Sequence, residues 1–142
     1  MPAGYSGTPL PKKLGVKPGH VVALLDAPTG WAIDGLDADV EVRTDLRKHA
    51  DVVVGFVRSL RDLRAAADRV VGRLGAEDAL WIAWPRKAAG HVSDVTEQSL
   101  RDLLLPTGLV DVKVAAIDDD WSGLRFVWRR ERRSGSGVLP RA

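Results

Sequence analysis

Four positively charged side chains lie just past the ends of apolar runs, where a ligand could be bound. Short continuous apolar runs are typical of strands covered on both faces of a parallel sheet. The charged residues are Arg43, Arg58, Arg86 and Lys87. Because ligands in open α/β sheets bind beyond the carboxyl ends of the strands, these cations would form one crevice for a phosphate, a carboxylate or a polyanion. The alternative is that each side chain is solvated, since fifteen of the 21 basic residues are arginine and asparagine is absent, as in the coding bias of a GC-rich genome.

The turn after the first apolar run could hold a nucleotide or an S-adenosyl group. The run HVVALLD continues into the turn DAPTGW, residues 26–31. We predict a short helix after this run, and Asp26, Thr29 and the N–H of Gly30 could bind such a ligand at its start. If the turn is purely structural, Trp31 would instead fill the space that the ligand needs. The residues alone leave both interpretations open.

Five tryptophans are many for a chain of this length. We predict that Trp81 and Trp128 fill the core beneath helices. Trp31, Trp84 and Trp121 are candidates to line a pocket or a dimer contact. Trp121 lies in the sequence DDDWSG, which predicts a turn, so we expect its side chain to be partly exposed.

Other kinds of chemistry find little support in the sequence. Cysteine is absent, which removes disulfides, thiolate metal sites and cysteine nucleophiles together. His20, His49 and His91 lack the spacing of metal ligands. The three carboxylates of residues 118–120 fit a hairpin turn better than a calcium loop. The sequence contains no P-loop, nucleophile elbow or zinc motif, so we predict neither a metal site nor a catalytic residue.

These side chains must be positioned by alternating strands and helices. Apolar and alternating runs predict strands over 20–26, 38–42, 50–57, 79–84, 109–117 and 124–130. Helical spacing predicts a helix over 59–75, capped by Ser59 and closed by a left-handed Gly75, and a second helix capped by Asp94. The short turn before the last strand predicts an antiparallel hairpin. The predicted fold class is α/β, a Rossmann-like three-layer sandwich with a mostly parallel sheet of about six strands and a C-terminal antiparallel hairpin.

One link in this arrangement is unusually short. Residues 44–50 would have to join two parallel strands, which normally takes about a dozen residues. Either this link is an extended bridge, or residues 38–42 do not form a full strand.

The length of 142 residues suits one domain. We predict an extended lead-in over 1–18, a single α/β domain over 19–130 and a basic flexible tail over 131–142. The tail is either a solvated end or an arm for nucleic acid or an acidic partner. No run approaches the length of a membrane helix and the N-terminus has no apolar signal region, so we expect a cytoplasmic protein without a membrane partner.

Several phrases resemble an uncharacterised bacterial family, common in actinobacteria and catalogued as domain of unknown function 3052. The likeness covers about residues 4–130 and includes the phrases GYSGTPLPKKLG, KLGVKPGHVVALLDAPTGW, ADVVVGFV, ALWIAWPRKAAG and LVDVKVAAIDDDWSGLRFVWRR. The family has no established activity, so the resemblance implies no catalytic residues.

The layout also resembles a trimmed S-adenosylmethionine-dependent methyltransferase core. That superfamily reaches its first strand through a phrase similar to KPGHVVALLD and ends in a hairpin whose last strand is inserted between its neighbours. The resemblance implies a cofactor at the turn after strand one. Here only Gly30 remains of the expected glycines, and Pro28 removes an N–H from the group that would face the ligand. An acidic residue that would grip the ribose could only be Asp45, which stands late.

These observations predict a non-catalytic binding or regulatory module with a degenerate methyltransferase-like fold. Its partner would be a protein or an anionic small molecule at the edge formed by Arg43, Arg58, Arg86 and Lys87, with no cofactor. The alternative is a minimal transferase that uses S-adenosylmethionine or a nucleotide at residues 26–31. A weaker alternative is nucleic-acid binding through the arginine-rich C-terminus.

Overall fold

The computed structural model of this chain describes residues 7–130. The predicted basic tail over 131–142 and the first six residues lie outside this range. Within residues 7–130, no helix combines the length and the apolar character needed to cross a membrane.

Six strands form one mixed sheet. They are β1 (Val21–Leu25), β2 (Glu41–Arg43), β3 (Val52–Phe56), β4 (Ala79–Pro85), β5 (Leu109–Ala116) and β6 (Trp121–Trp128). The order across the sheet is β2-β1-β3-β4-β6-β5. The first four strands are parallel, whereas β6 is antiparallel to both β4 and β5. The predicted α/β fold with a C-terminal hairpin is confirmed, as is the insertion of the last strand that a methyltransferase-like layout implies.

Two amphipathic helices cover one face of the sheet. They are α2 (Leu60–Val70) and α3 (Glu97–Leu104), and their apolar sides join one core cluster with alternate residues of the strands. The helix that precedes them in the chain is α1 (Leu10–Leu14). Short 3₁₀ turns follow at Val71–Arg73, Lys87–Ala89 and Leu105–Thr107.

The helix caps agree only partly with the prediction. The side chain of Ser59 accepts a hydrogen bond from the N–H of Asp62, as predicted for the start of α2. The start of α3 is capped by Thr96, and Asp94 instead accepts from the N–H of Leu60 at the start of α2. The prediction of Asp94 as N-cap is wrong because a tertiary donor competes for its carboxylate. Gly75 does not close α2 either. The helix continues into a 3₁₀ turn over Val71–Arg73, and Leu74, which is in an extended conformation, ends that turn before Gly75 is reached.

The other face is covered by α1 and by the long connection from β1 to β2. The predicted extended lead-in over 1–18 is wrong at α1, where Leu14 is fully buried and accepts a hydrogen bond from the indole N–H of Trp81. The predicted short helix after β1 is also wrong, because residues 26–40, all within the described range, contain no helix. Left-handed Gly30 and Gly35 keep this segment irregular, and its apolar side chains pack on the sheet as a third layer.

The short link between β2 and β3 bends at residues 44–45 and 47–48, where the N–H of Arg47 donates to the side chain of Asp45. Leu46 and Ala50 within it are buried in the cluster beneath α2 and α3. The interpretation of this link as an extended bridge is therefore wrong. Strand β2 is only three residues long and lies at the edge of the sheet, which confirms that residues 38–42 do not form a full strand.

Candidate functional site

The four predicted cations lie at or beyond the carboxyl ends of parallel strands, and the structure brings two of them to a common element. The guanidinium of Arg58 lies 5.2 Å from the ring centroid of Trp121. Arg86 donates to the carbonyl oxygens of Asp118 and Asp119, both at 3.3 Å. Arg86 thus contacts the turn that joins β5 and β6, and Arg58 contacts the first residue of β6.

The other two cations are separate from this pair. Arg43 is on the edge strand β2 and donates to the carboxylate of Glu41, two residues earlier on the same side of the strand. This hydrogen bond holds the pKa of Glu41 below its ordinary value and raises the pKa of Arg43. Lys87 is exposed at the start of a 3₁₀ turn. Of the four cations predicted to form one crevice, Arg58 and Arg86 lie near each other, and Arg43 and Lys87 do not join them.

A cavity of about 420 Å³ opens beside Arg58 at the carboxyl edge of the sheet. We call it the carboxyl-edge pocket; its walls are Pro28, Arg58, Pro85, His91, Asp120 and Trp121. Nη1 of Arg58 donates to the carbonyl oxygen of Asp26 at 3.1 Å, and the arginine side chain is exposed. Among residues 7–130, the remaining N–H groups of this guanidinium make no hydrogen bond, so they are available to a ligand.

The opposite wall of the carboxyl-edge pocket carries a histidine–aspartate pair. Nε2 of His91 lies 2.9 Å from Oδ1 of Asp120. The loop that carries His91 is fixed by a backbone hydrogen bond from the N–H of Arg86 to the carbonyl oxygen of Asp120 and returns through left-handed Gly90. No pattern in the sequence indicates this pair, because 29 residues separate its members. Only the antiparallel pairing of β4 with β6, which sets Pro85 opposite Trp121, brings them together.

The location of the carboxyl-edge pocket follows from the chain path. The connection after β1 covers one face of the sheet, whereas the connection after β3 passes through α2 on the other face. The carboxyl ends of β1 and β3 therefore form the topological switch point, where open α/β sheets bind their ligands. Pro28 follows β1 and Arg58 follows β3, so the pocket adjoins this point.

The side chain of Trp31, which could leave the space beyond β1 open or fill it, is held by aromatic and hydrogen-bonding contacts. Its ring makes an edge contact with Phe56 at 4.9 Å between centroids, and Phe56 makes a second edge contact with Trp121 at 5.0 Å. The indole N–H of Trp31 donates to Oδ2 of Asp118 at 2.9 Å. We call these three rings the aromatic row. The row packs against the sheet and fixes Trp31 in place.

Little space remains between the ends of β1 and β3 and helix α2. The cavity there measures about 90 Å³, whereas ligand pockets usually enclose about 300–1,000 Å³. Asp26 lines it in the left-handed conformation and contacts Arg69 at 3.7 Å. This volume is well below that of a usual pocket for a nucleotide or an S-adenosyl group.

A larger cavity, of about 560 Å³, lies on the other side of Trp31. It separates residues 7–13 from the loop at 30–35, and both Gly30 and Trp31 line it. Asp26 and Thr29 do not line it. The structure therefore divides the predicted 26–31 site between two places.

Two tryptophans differ from their expected environments. Trp84 belongs to the core beneath α2 and α3 and lines none of the three cavities described above. The predicted partial exposure of Trp121 is wrong, since only 8% of this residue is accessible. Phe56 packs against its ring and Arg58 lies over it, so a residue beside a turn becomes part of the core. The predicted burial of Trp81 is confirmed.

No protein-family model matches the chain, and no curated protein matches it. The resemblance to the uncharacterised bacterial family stays a prediction. Among solved structures, LepI in complex with SAM is similar over 84% of this chain, with a TM-score of 0.48 and 16% sequence identity. A structure described as a pericyclic reaction enzyme is similar over 84% of this chain, with a TM-score of 0.47 and 16% identity. The matched part is 39% of each of those chains, so this chain spans about two fifths of their length.

Proposed function

We propose that this chain is a non-catalytic binding module that holds a small anionic ligand in the carboxyl-edge pocket. The observation that carries the proposal is the exposed guanidinium of Arg58, which lies over Trp121 and lines a cavity of about 420 Å³ at the switch point of the sheet.

The chemistry of Arg58 favours a phosphate or a carboxylate. A guanidinium presents several N–H donors in one plane and binds such groups through two parallel hydrogen bonds. Its contact with Trp121 and its hydrogen bond to the Asp26 carbonyl fix its position before the ligand arrives. This preorganisation reduces the entropy lost on binding. The ring of His91 also lines the pocket, and its contact with Asp120 orients it.

A second candidate function is the binding of an S-adenosyl compound or a nucleotide in the larger cavity. The observation that favours it is the volume of about 560 Å³ next to Gly30 and Trp31, which is in the range of small-molecule sites. This cavity would be the site of the minimal transferase that the sequence offers as an alternative. Ala32 lines it and is exposed, so a tryptophan at this position would fill it.

Titration of the purified chain with inorganic pyrophosphate and ADP tests the first candidate. Calorimetry gives the affinity, and the total emission of the five tryptophans, which includes Trp121 in the pocket wall, is a second readout. We expect Arg58→Gln to weaken binding about tenfold to a hundredfold, because a hydrogen bond to a charged group contributes about 1.5–3 kcal/mol. Lys87→Gln removes the same charge from an exposed residue outside the pocket and serves as the matched control. Raising the salt concentration should weaken binding to the wild-type chain.

Equal weakening by Arg58→Gln and Lys87→Gln would contradict a defined site, as would the absence of any binding. Titration with S-adenosylmethionine and S-adenosylhomocysteine tests the second candidate. If Ala32→Trp abolishes the binding of these compounds and Arg58→Gln does not change it, the larger cavity is favoured over the carboxyl-edge pocket. Deleting residues 131–142 should change neither result, whereas lost nucleic-acid affinity in the shortened chain would favour the arginine-rich arm. A protein partner at the same edge would compete with pyrophosphate.

A further inference from the structure

Three potential metal ligands meet at the amino edge of the sheet, opposite the carboxyl-edge pocket. Asp51 immediately precedes β3, Asp78 immediately precedes β4, and His49 is in the link between β2 and β3. Each offers one ligand atom, and these atoms all lie within 4.8 Å of one another. Nε2 of His49 is 2.7 Å from Oδ1 of Asp78.

Backbone donors hold both carboxylates in place. Oδ2 of Asp78 accepts from the N–H of Gly75 at 2.6 Å, and Oδ2 of Asp51 accepts from the N–H of Val21 at 2.7 Å. Outer hydrogen bonds of this kind orient the ligands of metal sites and increase metal affinity.

No lysine or arginine is paired with the two carboxylates of the cluster. Among residues 7–130, neither Asp51 nor Asp78 forms an ion pair with a lysine or an arginine. The side chain of Asp78 is only 5% exposed, and a buried carboxylate is costly without a compensating charge. A divalent cation between the two carboxylates would supply that charge.

We propose that His49, Asp51 and Asp78 bind a divalent transition-metal ion, with Zn²⁺ as the probe of first choice. One imidazole nitrogen and two carboxylate oxygens suit Zn²⁺ better than Mg²⁺, which prefers oxygen ligands. Ligand atoms lie about 2.0–2.2 Å from zinc in tetrahedral geometry, so the hydrogen bond between His49 and Asp78 has to open while the more distant ligand atoms approach each other. The His49 side chain, 58% exposed, can make this movement. Three protein ligands leave at least one position on the metal open to solvent.

Sequence spacing gave no sign of this cluster, because its members come from separate elements. The amino ends of β3 and β4 are adjacent in the parallel sheet, with Val52 opposite Ala79. This register places the residues that precede those strands, Asp51 and Asp78, side by side. The site is independent of the proposed function, which depends on the other edge of the sheet.

Calorimetric titration of the chelator-treated full chain with ZnCl₂ tests the proposal. We expect one Zn²⁺ per chain, a higher melting temperature with Zn²⁺ than with chelator, and no comparable binding of Mg²⁺. His49→Ala and Asp51→Asn should each weaken Zn²⁺ binding at least about tenfold, since even outer-shell partners contribute tenfold to hundredfold. Asp51→Asn retains an acceptor for the Val21 N–H, so the fold is preserved. His91→Ala removes the imidazole of the other histidine–aspartate pair and is the matched control.

Retention of wild-type Zn²⁺ affinity in His49→Ala or Asp51→Asn would overturn the proposal. So would the absence of a 1:1 site, equal binding of Mg²⁺, or the same loss in His91→Ala. Melting temperatures of all variants in chelator separate a lost metal from a lost fold: a variant that melts as the wild-type chain does in chelator, yet no longer gains stability from Zn²⁺, supports the assignment.

Discussion

Replacing Gly123 with alanine would place a methyl group in a fully packed part of the core. Gly123 is on β6, between Ala83 of β4 and Ala115 of β5. The added Cβ would lie 2.6 Å from Cδ1 and 2.8 Å from Cγ1 of Ile117, and 3.0 Å from Cε3 of Trp81. Ordinary contacts of this kind are 3.4–4 Å long. Both neighbours are essentially inaccessible to solvent.

The size of the effect depends on how far Ile117 can move. Overpacking of a core costs about 1–3 kcal/mol. Ile117 also lines the larger cavity of about 560 Å³, so its side chain has some room to shift. We therefore expect a loss of about 2 kcal/mol in the free energy of unfolding, near the middle of that range. For a chain of this length, such a loss lowers the melting temperature by about 8 °C.

Urea unfolding of Gly123→Ala, with Gly55→Ala as the matched control, measures this effect. A Cβ at Gly55 would lie 3.7 Å from Cδ1 of Ile82, an ordinary contact. Gly55→Ala should therefore be neutral or slightly stabilising, by up to about 1 kcal/mol, because alanine restricts the unfolded chain. Adding Ile117→Val removes Cδ1 and should make the double variant more stable than the sum of the two single losses predicts. Equal losses in the two glycine variants, or strict additivity with Ile117→Val, would refute this reasoning.

Three further predictions concern individual hydrogen bonds. Trp31→Phe keeps a ring beside Phe56 but removes the donor to Asp118, so it should cost about 1.5 kcal/mol in urea unfolding; an unchanged midpoint would contradict this bond. Thr96→Ala should lower the free energy of unfolding by about 1 kcal/mol because α3 loses its N-cap. A larger loss in Asp94→Ala than in Thr96→Ala would instead favour Asp94 as the N-cap. The hydrogen bond with Arg43 lowers the pKa of Glu41 from 4.5. The ionised carboxylate therefore stabilises the fold above pH 4.5, and this stabilisation is lost as the pH falls through the lowered pKa. Arg43→Met should raise the Glu41 pKa toward 4.5 in an NMR titration, and an unmoved pKa would exclude the interaction.

The sheet was predictable because its strands are long apolar or alternating runs. The layer that contains α1 was not, because a five-residue helix is too short to show a period. The connection after β1 suggested a helix, although Gly30 and Gly35 adopt left-handed conformations that end one. The N-cap of α3 depended on a competition between Thr96 and Asp94 that only the position of α2 decides.

The candidate site was predictable in position and less so in composition. Arg58 and Arg86 were found because they directly follow apolar runs. The partner of Arg43 could also have been found, since side chains two residues apart share one side of a strand. The pair of His91 and Asp120 could not, because it depends on the register between β4 and β6.

The insertion of β6 between β4 and β5 has a consequence for the order in which the protein can assemble during its synthesis. Strands β2, β1, β3 and β4 can pair as they emerge from the ribosome, but β5 pairs only with β6 within the described residues. Until β6 is complete, β4 presents an unpaired edge and β5 has no place in the sheet. Unpaired strand edges promote association between chains. A nascent or truncated chain that stops before Trp121 would therefore expose this edge to association with other chains, and β6, the last strand of the described residues, is the one that covers it.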